Sequence, residues 1–408
     1  MSLAFNVEHR RNSARSTVDA GSAANGHLIS NFGAITGQTK VSEASAETVI
    51  PLLKDTPGAE NLEISAAVRY TRYSRAGNVV TWKVGGIYEP VSGIKLRASR
   101  SRDIRAPNLI ETFSPAVTTL ATVFDPFTNT SPSFQQTTVG NLNLRPEIAT
   151  NTALGIVIQP VRNVSFSADL WDIKIKDAIS SINAAQTLLL CFDNSGPELC
   201  ANITRSGGVL TQVVSGVRNF ALQQSRGIDF EASWTLPAPS ISAGAPGSLS
   251  LHGNATVFLK QLVNTRVSPP TDIIGENGAG NPPFWRASLT AIYHANPLTS
   301  SLTLRGFPAG AINDLAIACT SGCPTSTSLR PTYSRNRLPG RVYADFGLAW
   351  EIRSGDKTAT AFFNVRNLLN ADPGGPRVSG NALRNGANDL LYDVEGRTFR
   401  VGVRFRLP

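Results

Sequence analysis

Connections between the apolar stretches of this chain alternate sharply in length. Residues 90–93, 159–163, 296–297 and 353–356 are turn-sized, each with Pro, Gly, Asn or Asp. Residues 103–147, 177–216, 262–283, 310–339 and 367–394 are long and polar. An antiparallel meander whose two ends face different environments produces this alternation. Barrels of the bacterial outer membrane do so, with tight periplasmic turns and extended outer loops. The fold class expected is therefore all-β, an antiparallel transmembrane β-barrel or a large part of one.

Single side chains support this. Phe399, Val401, Val403 and Phe405 share one parity, and Thr398, Arg400, Gly402, Arg404 and Arg406 the other. In residues 247–260, Leu249, Leu251, Ala255, Val257 and Leu259 alternate with Ser250, His252, Asn254, Thr256 and Lys260. In residues 340–352, Val342, Ala344, Phe346, Leu348 and Trp350 alternate with Tyr343, Asp345, Gly347, Ala349 and Glu351. Period two places successive side chains on opposite sheet faces. A soluble sandwich alternates too, but strands average about five or six residues. These segments reach the roughly ten residues that a tilted strand needs to cross a bilayer. Charges at mid-strand on the polar face suit a wet lumen.

About fourteen such segments are expected, starting near residues 2, 41, 61, 79, 93, 148, 163, 217, 247, 284, 298, 340, 357 and 395. The even count agrees with bacterial barrels. With the last strand ending in the periplasm, parity puts the short turns inside and the long loops outside. No composition break marks a domain boundary, so residues 1–408 read as one barrel unit.

The formal charge is +9. Its arginines are scattered through alternating strands rather than gathered with aromatics in a groove, which argues against nucleic acid. A basic lumen, or a basic rim against outer-membrane lipid and lipopolysaccharide, is the simpler account. The four cysteines form two close pairs, Cys191 with Cys200 and Cys319 with Cys323, both in predicted outer loops. Local disulfides are expected there. The rival is a metal site, but Cys319 and Cys323 have no neighbouring His, and His9, His27, His252 and His294 are far apart in sequence. No cofactor is expected. The run from Met1 into residues 4–11 has no basic, apolar and cleavage regions of a secretory signal, so a fragment or a misplaced start is expected.

Six segments then carry a resemblance. Ser99-Arg-Ser-Arg-Asp-Ile-Arg-Ala-Pro-Asn-Leu109 resembles the "YSRDIRAPNL" segment of TonB-dependent receptors, the active transporters of the outer membrane. In the same order as in that family follow Leu142-Asn-Leu-Arg-Pro-Glu147, Ala168-Asp-Leu-Trp-Asp-Ile-Lys-Ile-Lys-Asp-Ala-Ile179 and Ser225-Arg-Gly-Ile-Asp-Phe-Glu231. Phe363-Asn-Val-Arg-Asn-Leu-Leu-Asn370 and Tyr392-Asp-Val-Glu-Gly-Arg-Thr-Phe399 complete the set. Within them Arg102, Asp103, Arg105, Pro107, Asn108, Pro146, Glu147, Gly227, Asp229, Asn367, Asn370, Gly396, Arg397, Phe399 and Phe405 of the last strand are candidate structural residues. Pro107 and Pro146 are expected to end strand pairing, since proline cannot donate to a ladder. Asp103 is expected to form a charged network with Arg102 and Arg105.

The resemblance implies a twenty-two-stranded barrel with an N-terminal plug and a box that recruits TonB; the chain resembles neither plug nor box and corresponds to the barrel from about the ninth strand. Implied partners are the TonB complex for the intact receptor, the barrel assembly machinery and a small-molecule cargo of unknown identity. Such receptors close on an aromatic residue, whereas Arg406-Leu407-Pro408 follow Phe405 here. The leading expectation is the barrel of a receptor that imports a scarce solute, such as a siderophore or carbohydrate. A truncated remnant, whose open edges would be costly in lipid, and a passive porin are the alternatives. An enzyme is not expected, since no G-x-S-x-G elbow is present and His252 reads as a polar wall residue.

Overall fold

The computed structural model describes residues 1–24, 26, 33–240, 246–265, 270–278, 281–326, 330–354, 357–373, 388 and 390–406. Parts of the 353–356 turn and of the loops at 262–283, 310–339 and 367–394 lie outside these residues, as do His27 and the terminal Leu407-Pro408. Fourteen long strands form the wall: β1 (Ser2–Arg15), β2 (Thr36–Thr56), β3 (Ala59–Tyr73), β4 (Gly77–Val91), β5 (Ile94–Arg105), β6 (Glu147–Val161) and β7 (Val164–Ile182). They continue as β8 (Val209–Ala238), β9 (Gly247–Asn264), β10 (Trp285–Ala295), β11 (Leu298–Phe307), β12 (Arg341–Ser354), β13 (Lys357–Arg366) and β14 (Thr398–Arg406). Each pairs antiparallel with the next in sequence. Among the described residues no ladder joins β14 back to β1. Among the described residues no helix is long and apolar enough to cross a membrane, which says nothing of a barrel.

The connections sort by end. Links from even to odd strands are residues 57–58, 92–93, 162–163, 239–246, 296–297 and 355–356. Links from odd to even strands are 16–35, 74–76, 106–146, 183–208, 265–284, 308–340 and 367–397. Two links depart from the length pattern: 74–76 is a tight turn at the long-loop end, and 239–246 has eight residues at the short-turn end.

Two strand starts differ from expectation. β2 begins at Thr36 rather than near Val41, and β8 at Val209 rather than near Val217. The extra turn-proximal residues of β8 leave the wall and pair with loop strands Ser133–Val139 and Ile203–Ser206. There Phe134, Ala184, Leu188, Leu210 and Val213 make a small buried core. Leu210 is buried on one parity of this stretch and Val213 and Ser215 on the other, so its sequence loses the in–out alternation by which wall strands are recognised.

Register carries one apolar face around the whole wall. From Phe5 on β1 it passes through Ala46, Val68 and Trp82. Farther along, Leu154, Leu170, Ile228 and Val257 lie opposite one another on β6 to β9. It ends through Leu302, Phe346, Val365 and Phe399. The opposite face carries Arg97, Asp169, Glu231, His252, Thr303, Asp345 and Arg400. The apolar face is convex by this reading, because large side chains on it stay exposed: Val7 is 82% and Val401 81% accessible. Its aromatics fall at two levels. Tyr70, Trp82, Trp285 and Phe399 stand toward the long-loop end, and Tyr88, Trp234, Tyr293 and Trp350 toward the short-turn end. Girdles of this kind flank the apolar band of membrane barrels.

Candidate functional site

Three of the motif segments meet where β5 and β6 give way to the loop. The Arg105 guanidinium donates to Glu147 Oε1 and Oε2 at 2.7 and 2.8 Å and to both Glu111 oxygens at 3.0 Å. Glu147 Oε1 also accepts the Ile179 backbone N–H at 2.6 Å. Thus one carboxylate ties the strand start of β6 to the end of β5 and to β7. Asn108 caps the short helix Leu109–Phe113 in a reciprocal box with Glu111. Pro107, with Arg10, Tyr73, Arg105 and Asn108, borders a cavity of about 880 Å³ beside this junction. Pairing stops at Arg105 and resumes at Glu147, so Pro107 and Pro146 sit where the ladder breaks.

The expected network of Asp103 with Arg102 and Arg105 does not form. Asp103 accepts from Ser101 Oγ and Asn151 Nδ2, both at 2.6 Å. Arg102 has the other parity and projects from the apolar face, opposite Trp82 and Thr150. Residues adjacent in a strand point to opposite faces, so they cannot share a partner there.

A second junction lies on β7 to β9. Gly227 is opposite Trp171, and a Cβ on Gly227 would stand 2.5 Å from the indole and 2.8 Å from the Val257 carbonyl oxygen. A bulge at Gly227 pairs it with Phe258 and pairs Arg226 with Lys260, leaving Leu259 unmatched. Lys260 consequently joins the apolar-face parity, not the lumen parity that strict alternation assigns it. Asp229 accepts from Thr256 Oγ1 at 2.7 Å on the lumen side.

The third junction closes β13 onto β14. Asn367 and Asn370 adopt φ of 51° and 50°, a conformation asparagine tolerates better than most residues. The fully buried Asn367 side chain holds Ala371 through its backbone N–H and carbonyl, and Asn370 Oδ1 accepts the Arg397 N–H at 3.1 Å. Gly396, at φ 75°, makes the turn that brings Arg397 there. Nearby, Arg305 bridges Asp345 at 2.9 Å and the buried Asp393 at 3.3 Å, and Arg366 reaches Asp393 at 3.2 Å. Phe399 stacks on Phe363 with centroids 6.3 Å apart, and both it and Phe405 lie on the apolar face.

Cys191 bonds Cys200, and Cys319 bonds Cys323, with Cα separations of 5.1 and 5.6 Å. The first closes helix Ala184–Phe192 onto the 3₁₀ turn Pro197–Asn202 in the loop module. In that module Arg205 grips the fully buried Asp125 through two bonds of 2.7 and 2.8 Å, and its guanidinium lies 4.7 Å from the Phe127 centroid. This grip holds the Asp125 carboxyl below the usual carboxylate range. A depressed pKa contributes stability above the unfolded value of about 3.9, and that contribution fades as pH falls through the folded value. Pepsin cleavage within residues 117–139 is therefore expected to accelerate steeply below about pH 4. An Arg205→Met chain should be open to other proteases already at neutral pH.

The lumen face carries three guanidinium–ring pairs. Arg286 lies 5.7 Å from Phe258, which meets Trp171 edge-on at 6.3 Å; Arg305 lies 4.9 Å from Tyr343, and Arg400 5.9 Å from Phe362. Arg286, Arg305, Tyr343, Asp229 and Asn254 share a cavity of about 550 Å³ with Leu390 and Leu391. None of these pairings is visible in sequence: Phe258 shares the lumen parity of His252, Asn254 and Thr256, but each pair joins residues on neighbouring strands.

Comparison with known proteins agrees with this architecture. The family described as TonB dependent receptor-like, beta-barrel matches residues 2–368. The chain belongs to the TonB-dependent receptor family. Among solved structures, the siderophore receptor PirA of Acinetobacter baumannii aligns with a TM-score of 0.64 at 14% identity, covering 98% of this chain and 51% of that one. A ferric enterobactin receptor (PfeA) variant of Pseudomonas aeruginosa aligns with a TM-score of 0.63 at 16% identity, over 98% and 50%. Another PfeA variant, in complex with enterobactin, aligns with a TM-score of 0.60 at 14% identity, over 98% and 54%. At these identities the likeness is one of fold. This TonB-dependent receptor barrel spans about half the length of those structures. No curated protein matches it. The family is one of receptors and transporters rather than enzymes.

Proposed function

We propose that this chain is wall of an outer-membrane receptor that passes an anionic, ring-bearing solute through its lumen with energy relayed by TonB. The observation carrying the reading is the three arginine–aromatic pairs on the inner wall. A guanidinium is charged at all working pH and binds carboxylate or catecholate oxygens in a fork, while its flat face and the ring beside it favour stacking. A ferric siderophore combines these features, and the structurally similar receptors are described as siderophore and ferric enterobactin receptors. Among the described residues β14 forms no ladder with β1, and an edge left open in lipid leaves backbone groups unsatisfied.

The five tryptophans offer the test. Trp82, Trp234, Trp285 and Trp350 share the apolar-face parity, and Trp171 faces the lumen. In single-tryptophan chains reconstituted with brominated lipid, the four should be quenched and Trp171 spared. Trp171 emission should instead be quenched saturably by a ferric catecholate, with binding weakened about tenfold by Arg286→Ala, the loss of one charge-assisted contact. Equal response to a neutral maltodextrin, or lipid quenching of Trp171, would overturn the reading. Conductance by the 408-residue chain alone is expected to be absent or unselective.

A further inference from the structure

The apolar face of β5 to β9 changes character abruptly. Three successive cross-strand rows are apolar: Ile94, Ile158, Phe166, Ala232 and Gly253; then Leu96, Ile156, Ala168, Phe230 and Ala255; then Ala98, Leu154, Leu170, Ile228 and Val257. The next row toward the long loops reads Arg100, Thr152, Asp172, Arg226 and Lys260, and the one after it Arg102, Thr150, Lys174, Gln224 and Leu262. Lys176 follows on the same parity. Six cations thus gather against one carboxylate, Asp172, which accepts from Arg226 at 2.7 Å and lies 3.6 Å from Lys174. Among the described residues Arg100, Arg102, Lys176 and Lys260 have no acidic partner, and the buried Nε of Arg102 has no acceptor. Below them, the small side chains Ala168, Ala232, Gly253 and Ala255 leave a trough of about 380 Å³ walled by Ile156, Ile158, Phe166 and Phe230.

We propose that this patch binds a phosphorylated, acylated lipid of the outer leaflet, its phosphate on the basic rows and an acyl chain in the trough. Charge complementarity supplies the first contact, since arginine and lysine bind phosphate oxygens with strong, charge-assisted bonds. Reach supplies the second. Phe230 and Ala232 lie four and six residues beyond Arg226, about 13–20 Å along a strand at some 3.3 Å per residue. With strands tilted by about 40° this is a depth of about 10–15 Å, one leaflet of a hydrocarbon core about 30 Å thick. The trough directly below the cations suits a ligand that carries phosphate and acyl chain together.

The inference goes beyond cargo transport and rests on the membrane embedding proposed above, which brominated-lipid quenching tests separately. The full chain, purified in a zwitterionic detergent, is titrated with bis-phosphorylated lipid A and with phosphatidylcholine and read by native mass spectrometry. Lipid A is expected to bind at least tenfold tighter. Combined Arg100→Gln, Arg102→Gln, Lys174→Gln and Lys176→Gln should cut that preference at least tenfold, whereas Arg400→Gln with Arg404→Gln on the lumen face should not. Ala168→Trp with Ala232→Trp, filling the trough on an exposed face, should weaken lipid A but spare its deacylated headgroup. Equal binding of the two lipids, an unaffected quadruple variant, or displacement of lipid A by equimolar inorganic phosphate would overturn the proposal. With quenching intact, such a failure would reach only this patch.

Discussion

Gly227→Val is expected to destabilise the folded barrel by about 3 kcal/mol, the upper part of the range for overpacking a filled site. The Trp171 indole and the Val257 carbonyl occupy the space on that side. The carbonyl belongs to the ladder and cannot yield, so the indole must swing from its edge-on contact with Phe258. Both stability and lumen chemistry should suffer. Heat-modifiable gel mobility, in which folded barrel migrates apart from unfolded chain, should show the variant unfolding at lower temperature. Trp171 emission should shift toward that of a solvated indole. A Trp171→Ala second substitution should relieve much of the stability loss, because it removes the obstruction; if it adds a further loss instead, the clash is not the cause.

Glu147→Ala is expected to cost about 2 kcal/mol. Removing one partner of a buried ion pair costs roughly 3–5 kcal/mol, but the Arg105 side chain is 46% exposed and can be rehydrated while keeping Glu111. What remains is the Ile179 N–H left without its acceptor, at about 1–3 kcal/mol. The local consequence should exceed the global one. With β5, β6 and β7 no longer tied at one point, protease cleavage within residues 106–146 should accelerate at least tenfold. Glu147→Gln keeps an acceptor for Ile179 and should show about half the effect. Cleavage unchanged in both variants would mean that loop packing, not this carboxylate, anchors the rim.

How far each feature was legible depended on the range of the physics behind it. Parity along a strand is local: Phe399, Val401, Val403 and Phe405 declare an apolar face without reference to any neighbour, and so fourteen strands and their loop ends could be read directly. The two disulfides were equally local, four and nine residues apart. Legibility failed where a partner strand changed the rule. The bulge at Gly227 reverses the face of Lys260, and its signal lies in pairing across two strands. Asp103 looked bonded to Arg105 because they are close in sequence, yet Glu147, forty-two residues away, is the partner. The start of β8 was hidden because the loop module buries Leu210 on one parity and Val213 and Ser215 on the other.

Alternation of side chains, turn residues and motif order therefore determined the class of fold, the number of strands and which end bears the loops, since each follows from one strand's own period of two. Tertiary structure alone decided which cations join the lumen face or the apolar face beyond the bulge, and which carboxylate each arginine meets. Those outcomes depend on cross-strand register, and a single-residue slip in register exchanges the two faces.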